Sequence, residues 1–386
     1  MRIQVRARSV TNLLLAGIAA AHLPIQAADP SIFKVAPTPN DNPNNGLYAV
    51  SASSPSDIWA VGQSTIHFDG TKWTAFEAPM IVGDNNGSLE GVADISSTEA
   101  WAAGNASATL LGQPAPVIEH WDGTQWNAIP ASSFNAPGES ASLFLAMTAI
   151  SANDIWALGG GTLNGNGGTL FEHWDGEAWT PNIVFLGGLP VAASADATDD
   201  VWAVGFSGVS AIDGAPFVAH YDGTAWQNVP GPKTGIFNAV AALAPNDVWA
   251  VGSMVKVKNG PTRTLIEHYD GSQWSVSPSP NVGPNSMFQS NRLLGITAVS
   301  RTDIWAFGSY FAADGSGQQK TLLLHWDGTS WNLAASPSPD PGSFQDDVLF
   351  GGVVTAPGGV WIVGSEDTAA PNKPFTSTLV LHTTGG

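Results

Sequence analysis

Two short motifs alternate along most of the sequence and constrain its fold more than any other feature. The first reads Asp-Ile/Val-Trp-Ala-Val-Gly, with variations, and its Trp recurs at Trp59, Trp101, Trp156, Trp202, Trp249, Trp305 and Trp361. The second reads His-aromatic-Asp-Gly-x-x-Trp and begins at His67, His120, His173, His220, His268 and His325, with a degenerate copy at His382. All 16 Trp residues fall within these two motifs. A repeat of this length indicates one supersecondary unit stacked seven times.

Each repeat carries the pattern of four short strands. An apolar run such as LYAVSAS comes first, the Trp motif second, a run such as TLIEHYD third and a run such as SQWSVS fourth. The Asp-Gly pair between the third and fourth runs is a strong hairpin signal, because Gly accepts the positive φ that such a turn requires. The sequence therefore predicts an all-β fold, a seven-bladed β-propeller with four antiparallel strands per blade.

The Trp motif also predicts how the blades pack. Successive side chains of a strand point to opposite faces, so Trp249 and Val251 share one face and Val248, Ala250 and Gly252 share the other. One face offers bulk and the other offers room for the bulk of a neighbouring blade. We therefore expect the repeat to encode its own packing between blades.

The two ends of the repeat array predict how the ring closes. The last repeat stops at STLVLHTTGG and lacks a fourth strand, whereas the early segment DPSIFKVAPTPN aligns with the fourth strand of another repeat, DGTSWNLAASPSP. We expect residues 31–36 to complete the last blade, which removes exposed strand edges. Residues 29–386 would then form one domain.

The first 28 residues have the layout of a secretory signal peptide. Arg2, Arg6 and Arg8 precede a short apolar core, and Ala27 and Ala28 offer small residues for cleavage. The mature protein is therefore expected in the periplasm or outside the cell, with no membrane insertion after signal removal. Because it contains no Cys, its stability must come from packing rather than disulfides.

The mature chain is strongly acidic. Loss of the three signal arginines leaves 10 basic against 32 acidic residues, a net charge of −22. Such a chain repels phosphate backbones and anionic lipid surfaces, so we expect no nucleic-acid partner and no peripheral membrane binding. The charge is consistent with a soluble monomer.

The paired motifs D-[IV]-W-A-V-G and H-[WY]-D-G-x-x-W resemble the Trp-rich repeats of secreted bacterial propellers, which are loosely similar to kelch and galactose-oxidase-type propellers. The resemblance implies the fold but not the function, since propellers include binding modules, lectins and enzymes. Galactose-oxidase-like copper chemistry would need a Cys, which this sequence lacks. A sialidase-like triad would need three convergent arginines, and Arg301 lies on the opposite side from Arg263 and Arg292. No cofactor is expected.

The repeated His and Asp residues are interpreted as structural. Equivalent positions in different blades lie around a ring, too far apart to share one metal ion, so each His is expected to form hydrogen bonds within its own blade. The Asp before the Trp, as in Asp57, is expected to accept backbone N–H bonds in a turn. Two Asn/Asp-rich stretches, residues 83–91 and 40–46, lack the spacing of an EF-hand loop and are interpreted as turns.

Long, variable loops are expected on one face only. The loop between strands two and three and the loop between blades lie on the same face, whereas the other face has tight turns. Because loops on a rigid scaffold carry function, this face is the candidate binding face. The residues that open the innermost strands would line the channel mouth there, and they include Tyr48, Glu90, Asn238, Arg292 and Asp347.

Three functions are compatible with this pattern. We favour a secreted, non-catalytic binding or interaction module that holds a glycan, peptide or protein on the long-loop face. The alternative is a propeller glycosidase or lyase that uses Glu90 and Asp347, which would require carboxylates about 5–10 Å apart. A lectin with one sugar site per blade would need exposed aromatic rings, but every Trp belongs to a packing motif.

Overall fold

The computed structural model confirms the predicted architecture. It describes residues 32–42, 44–79, 87–107, 114–129, 139–164, 166–208, 214–231, 234–255, 260–283, 290–312, 317–338, 346–356, 358–367 and 376–383. The predicted signal segment, residues 1–28, lies outside the described residues. In the described part of the chain, no helix is long and apolar enough to cross a membrane.

The described residues form 28 strands in seven four-stranded antiparallel sheets. In chain order the strands are β1 (Phe33–Val35), β2 (Leu47–Ser54), β3 (Asp57–Gly62), β4 (Thr65–Phe68), β5 (Trp73–Phe76), β6 (Ser88–Ser96), β7 (Glu99–Ser107), β8 (Pro114–Trp121), β9 (Trp126–Ile129), β10 (Glu139–Ser151), β11 (Asp154–Leu163), β12 (Asn166–Trp174), β13 (Trp179–Val184), β14 (Leu189–Ala197), β15 (Asp200–Ser207), β16 (Ala215–Tyr221), β17 (Trp226–Asn228), β18 (Ile236–Ala244), β19 (Asp247–Val255), β20 (Thr262–Tyr269), β21 (Trp274–Val276), β22 (Asn291–Ser300), β23 (Asp303–Phe311), β24 (Gln319–Trp326), β25 (Trp331–Ala334), β26 (Asp347–Thr355), β27 (Gly359–Asp367) and β28 (Thr376–Thr383).

Blades 1 to 6 each take four consecutive strands, from β2–β5 to β22–β25. Blade 7 takes β26, β27 and β28, and β1 supplies its outermost strand. The register of this closing pair runs from Phe33 opposite Thr383 to Val35 opposite Leu381. The prediction that the N-terminal segment completes the last blade is therefore confirmed.

A turn around Asn45 strengthens this closure. The Asn45 side chain is buried, and its Nδ2 donates to the carbonyl oxygens of Asn42 and Thr376, at 2.5 and 3.1 Å. Its Oδ1 accepts from the Ser64 hydroxyl at 3.0 Å. This Asn-rich stretch is thus a turn that joins the start of blade 1 to blade 7. Part of the other Asn/Asp-rich stretch, residues 83–86, lies outside the described residues.

The Trp of each second strand packs against aromatic rings of the next blade. Trp202 lies 5.0 Å from Tyr269 and 5.9 Å from Trp274 between ring centroids. For the Trp residues of blades 1 to 5 and 7, the partners are the two aromatic residues that flank the Asp-Gly hairpin of the next blade. For blade 6, Trp305 instead meets Phe33 of β1 at 5.0 Å. In the neighbouring blade, these aromatic rings lie on the face to which the second strand contributes Ala. Ala250, for example, belongs to the cluster around Trp202. The predicted packing between blades is confirmed.

The repeated His and Asp residues join within five blades. His Nε2 lies 2.6 to 2.8 Å from the Asp Oδ1 in the pairs His67–Asp57, His173–Asp154, His220–Asp200, His268–Asp247 and His325–Asp303. The His prediction is therefore confirmed in these five blades. The expected partners of the Asp were backbone N–H groups; the structure instead pairs them with imidazole rings and, in blades 4 and 5, with the Trp indole.

Each Asp-Gly hairpin is held by its Asp. In blade 4, Asp222 Oδ1 accepts from the backbone N–H of Thr224 and Ala225 and from the Thr224 hydroxyl. These hydrogen bonds, the hydroxyl first, lower the pKa of Asp222 to about 2. Gly223 has a φ of 84°, which a residue with a side chain rarely adopts. The hairpin prediction is confirmed at the level of individual residues.

Candidate ligand site at the mouth of the central channel

The first strand of every blade lines a central channel with a volume of about 1350 Å³. Neighbouring first strands contact one another around the axis, from β2 with β6 to β26 with β2. Each first strand begins at the loop between blades and ends at the short turn before the Trp strand. The start of these strands therefore marks the channel mouth on the long-loop face.

A β-bulge near the start of each first strand sets one residue apart. In blade 1 the pairing with β3 passes from Leu47 to Ala49, so Tyr48 has no opposite residue. The same shift occurs in all seven blades and selects one channel-lining residue in each. We call this set the bulge ring: Tyr48, Glu90, Leu145, Val191, Asn238, Leu294 and Phe350.

The constant Gly that ends each Trp motif explains the bulge. A Cβ on Gly252 would meet the carbonyl oxygen of Ile236 at 2.0 Å, and the Gly of every other blade meets the equivalent oxygen at 1.8 to 2.1 Å. The two backbones can come this close only because Gly has no side chain. The motif therefore fixes the bulge, and the bulge presents the next residue to the channel, as bulges beside functional sites commonly do.

The aromatic and acidic part of the bulge ring lies on blades 7, 1 and 2. Tyr48 packs edge-on against Phe350, with 5.3 Å between ring centroids. Glu90 accepts a hydrogen bond from the Ser88 hydroxyl, and burial raises its pKa. Burial, followed by the negative charges of Glu90 and Asp367, raises the pKa of Tyr48 to about 12. Burial also raises the pKa of Asp367, whose Oδ1 accepts a hydrogen bond from the Thr376 hydroxyl.

The other members of the ring are mainly apolar. Leu145, Val191 and Leu294 supply aliphatic side chains from blades 3, 4 and 6. Asn238 is the polar member between them, and its Nδ2 donates to the carbonyl oxygen of Leu293 at 2.8 Å. This hydrogen bond ties blade 5 to blade 6. The ring thus has an acidic and aromatic arc opposite an aliphatic arc.

The channel lining is acidic. Among the described residues that line it, Glu90 and Asp94 carry carboxyl groups, and none is Lys, Arg or His. Asp94 is buried near the opposite end, where its Oδ2 accepts from the backbone N–H of Ser53 at 2.9 Å. Burial raises the pKa of Asp94 to about 8, with a smaller contribution from Asp57. A positive group is therefore better suited to this channel than a negative one.

The structure brings three of the five sequence-predicted residues together. Tyr48, Glu90 and Asn238 belong to the bulge ring. Arg292 is exposed and opposite Ser309 on β23, two residues before the ring position of blade 6. Asp347 is buried, opposite Glu366 on β27, three residues before the ring position of blade 7.

Two residues that line the channel, Phe350 and Gln63, were not predicted from the sequence. The prediction used the first residue of each expected strand, and the strands begin at different offsets from the bulge. Counting from the constant Gly of the Trp motif would have found Phe350, because this Gly marks the bulge in every blade. Much of the predicted long-loop face, including residues 80–86, 108–113, 256–259 and 284–289, lies outside the described residues.

Comparisons with known proteins agree on the fold. No family model and no curated protein matches the chain. Among solved structures, YCF48 bound to D1 peptide is similar, with a TM-score of 0.59 and 14% identity over 94% of this chain and 100% of that chain. An ulvan lyase of polysaccharide lyase family PL25, bound to -[GlcA(1-4)Rha3S]-, has a TM-score of 0.56 and 10% identity over 87% and 93%.

A second structure of an ulvan lyase gives a TM-score of 0.57 and 9% identity, over 87% of this chain and 94% of that one. At these identities the likeness shows the propeller fold alone. One neighbour binds a peptide and the other is a lyase, so the comparisons are compatible with both functions considered for this chain. The kelch-like classification stays a prediction.

Proposed function

We propose that the protein is a non-catalytic binding module that holds a ligand in the channel mouth, on the bulge ring. The observation that carries this proposal is the ring itself. Seven equivalent backbone bulges present six different types of side chain to one cavity. A rigid scaffold that varies one ring of side chains is suited to recognition.

The ring chemistry supports a ligand that is both apolar and positively charged, such as a peptide segment with a basic side chain. Leu145, Val191 and Leu294 can bury an apolar group. Across the channel, a cation beside Glu90 would favour the ionised form of that buried carboxyl. The peptide-binding neighbour makes this class of ligand reasonable for the fold.

The alternative of a lyase or glycosidase receives weaker support. Tyr48, with its pKa raised to about 12, stays protonated at neutral pH and cannot act as a base there. A raised pKa would suit Glu90 as a general acid. However, the second channel carboxyl, Asp94, lies four residues along the same strand, about 13 Å at 3.3 Å per residue, beyond the roughly 5–10 Å that glycosidases use.

The test is a library of short synthetic peptides, screened against the mature chain and two variants. Glu90→Gln removes the charge in the ring, and Glu177→Gln makes the same change on an exposed hairpin of blade 3. We expect peptides with Lys or Arg beside an apolar residue to bind, and Glu90→Gln to weaken them about tenfold, or about 1.4 kcal/mol. Binding that is unchanged in Glu90→Gln, or a preference for acidic peptides, would contradict the proposal.

A turnover assay on uronate-containing polysaccharide separates the alternative function. Unsaturated or reducing products that disappear in Tyr48→Phe or Glu90→Gln would favour the enzyme. An absence of products, together with peptide binding, favours the binding module.

We also propose that the protein is exported. The support is the basic and apolar pattern of residues 1–28, ending at Ala27 and Ala28. Expression of the full sequence in a bacterial host, followed by fractionation and N-terminal mass analysis, tests this. A mature N-terminus at Ala28 or Asp29 in the periplasm or medium is expected; a product that keeps Met1 in the cytoplasm would contradict export.

A further inference from the structure

A groove of about 640 Å³ lies between blades 5 and 6, away from the channel. It runs along the outer strand β21 of blade 5 and the hairpin between β24 and β25 of blade 6. Every residue that lines it belongs to the described part of the chain. The groove is therefore independent of the long loops and of the bulge ring.

One residue distinguishes this groove from the other seams. Arg301 stands in the first turn of blade 6, where the corresponding turns of blades 1 to 5 carry the uncharged residues Pro55, Ser97, Ala152, Thr198 and Pro245. Its side chain reaches across the seam, and Nε lies 3.2 Å from Asp247 Oδ2 in blade 5. The side chain is 61% exposed, so a ligand can reach it from solvent.

The repeat structure holds Asp247, and Asp247 in turn holds Arg301. The other carboxylate oxygen, Oδ1, is 2.8 Å from His268 Nε2 and accepts from the Trp249 indole N–H at 3.0 Å. Three groups therefore fix this carboxylate. A guanidinium anchored through Nε presents its remaining N–H groups as a planar fork, a geometry that matches a carboxylate.

The wall beside Arg301 combines an aromatic ring with hydroxyl groups. Trp326 lines the groove, and its ring packs on Trp249 and Trp331, with centroids 5.1 and 5.7 Å apart. Ser275 and Ser330 line the two sides. A half-buried indole offers an apolar surface to the C–H face of a sugar ring, and hydroxyls beside it can exchange hydrogen bonds with sugar hydroxyls.

We infer that the groove between blades 5 and 6 is a second binding site, for a saccharide that carries a carboxylate. The carboxylate binds the terminal nitrogens of Arg301, and the sugar ring lies against Trp326 between Ser275 and Ser330. Since Asp247 already balances the charge of Arg301, and the full sequence has a net charge of −19, the site favours a single acidic sugar unit over a dense polyanion.

The experiment follows the indole N–H signals of the mature chain by NMR during titration with glucuronate, glucose and acetate. The Trp249 indole N–H bonds Asp247 and Trp326 lines the groove, so these two signals report on the site. The expected result is a dissociation constant of roughly a millimolar for glucuronate, and at least tenfold weaker binding of glucose and of acetate.

Two variants and a control make the assignment specific. Arg301→Ala is expected to weaken glucuronate binding at least tenfold, and Arg301→Lys, which keeps the charge but loses the fork, to fall between it and the unmodified chain. Lys72→Ala removes an exposed positive charge from a hairpin of blade 1 and should change nothing. Thermal unfolding of each variant checks that it is folded.

Three results would overturn the inference. If acetate bound as well as glucuronate, the site would recognise the carboxylate but not the sugar ring. Glucuronate binding that survives Arg301→Ala would remove the residue on which the site depends. An absence of shifts in the Trp249 and Trp326 signals at glucuronate concentrations roughly tenfold above a millimolar constant would exclude the site. None of these results bears on peptide binding at the bulge ring, which is tested separately.

Discussion

The seams between blades and the bulge ring are built from the same repeat, yet they use side chains in opposite ways. At the seams, the same Trp, His and aromatic pair return in nearly every blade, because each has to fit the same neighbour. On the ring, the backbone is the same in all blades but Tyr48, Glu90, Asn238 and four apolar residues take the equivalent position. The seams therefore carry stability and the ring is free to carry recognition.

The largest expected effect separates the two regions directly. Trp202→Ala removes a fully packed seam indole and leaves Asp200 without its indole donor. We expect a loss of about 4 kcal/mol in the free energy of unfolding, within the range for Trp truncation in cores. Leu294→Ala on the ring should cost about 1 kcal/mol, because this side chain faces the channel. Urea unfolding of both variants measures the difference; equal losses would show that ring and seam side chains contribute equally to stability.

The second prediction concerns the Gly on which the ring depends. Gly252→Ala places a Cβ against the Ile236 carbonyl oxygen, where the two atoms would be 2.0 Å apart, so the bulge must open. We expect a loss of about 3 kcal/mol, as for severe overpacking. Gly167→Ala is the control, since its Cβ would meet nothing within 4 Å. A Gly252→Ala variant as stable as the control would show that the bulge does not need the Gly.

The third prediction concerns a carboxyl at the seam of blades 4 and 5. Glu267 is 2% exposed, and burial raises its pKa from 4.5 to about 7. A raised folded-state pKa stabilises the fold below pH 4.5, and this stability is lost as the pH rises through 7. Glu267→Gln should therefore match the unmodified chain at pH 4 and exceed it by up to about 3 kcal/mol at pH 8.

The measurement for Glu267 is the free energy of unfolding at several pH values, with Glu77→Gln, an exposed change, as the control. If the difference in the free energy of unfolding between Glu267→Gln and the unmodified chain were constant with pH, the Glu267 carboxyl would have the same pKa in the folded and unfolded states. That result would assign the seam no pH dependence from this residue.

The smallest expected effect is on the ring itself. Glu90→Gln removes one of the two negative charges that, after burial, raise the pKa of Tyr48. The pKa of Tyr48 should fall from about 12 but stay above its usual value of 10.0, because burial remains. NMR titration of the tyrosine rings measures this, with Glu177→Gln as the unchanged reference. No change in Glu90→Gln would mean that the two ring residues are not electrostatically coupled.

Most of the fold could be predicted because the constant residues act locally or on a known neighbour. Asp222 and Gly223 define a hairpin from four residues of sequence, and the spacing of Trp202 and Trp249 sets the blade period. The closing strand could be predicted from the alignment of residues 31–36 with a fourth strand. These features depend on short-range geometry and on packing that recurs seven times.

The site was harder to predict, because it depends on register. Tyr48, Glu90 and Asn238 coincide with positions of the bulge ring, since their strands start close to the bulge. Arg292 and Asp347 were chosen on the same reasoning, but β22 and β26 start earlier relative to the bulge, and Leu294 and Phe350 take the ring positions. The sequence relates Arg301 only to an arginine triad that cannot form; its ion pair with Asp247 crosses between blades and leaves no trace in sequence spacing.

The pairing of β1 with β28 has a mechanical consequence. Phe33 lies opposite Thr383, so the chain enters and leaves blade 7 at the same end of one short antiparallel ladder. A force that pulls these two flanks apart loads the hydrogen-bonded pairs one after another, as in opening a zip, instead of shearing them all at once. We expect blade 7 to be the first part of the molecule to yield under tension, while the six blades made from continuous chain keep their sheets.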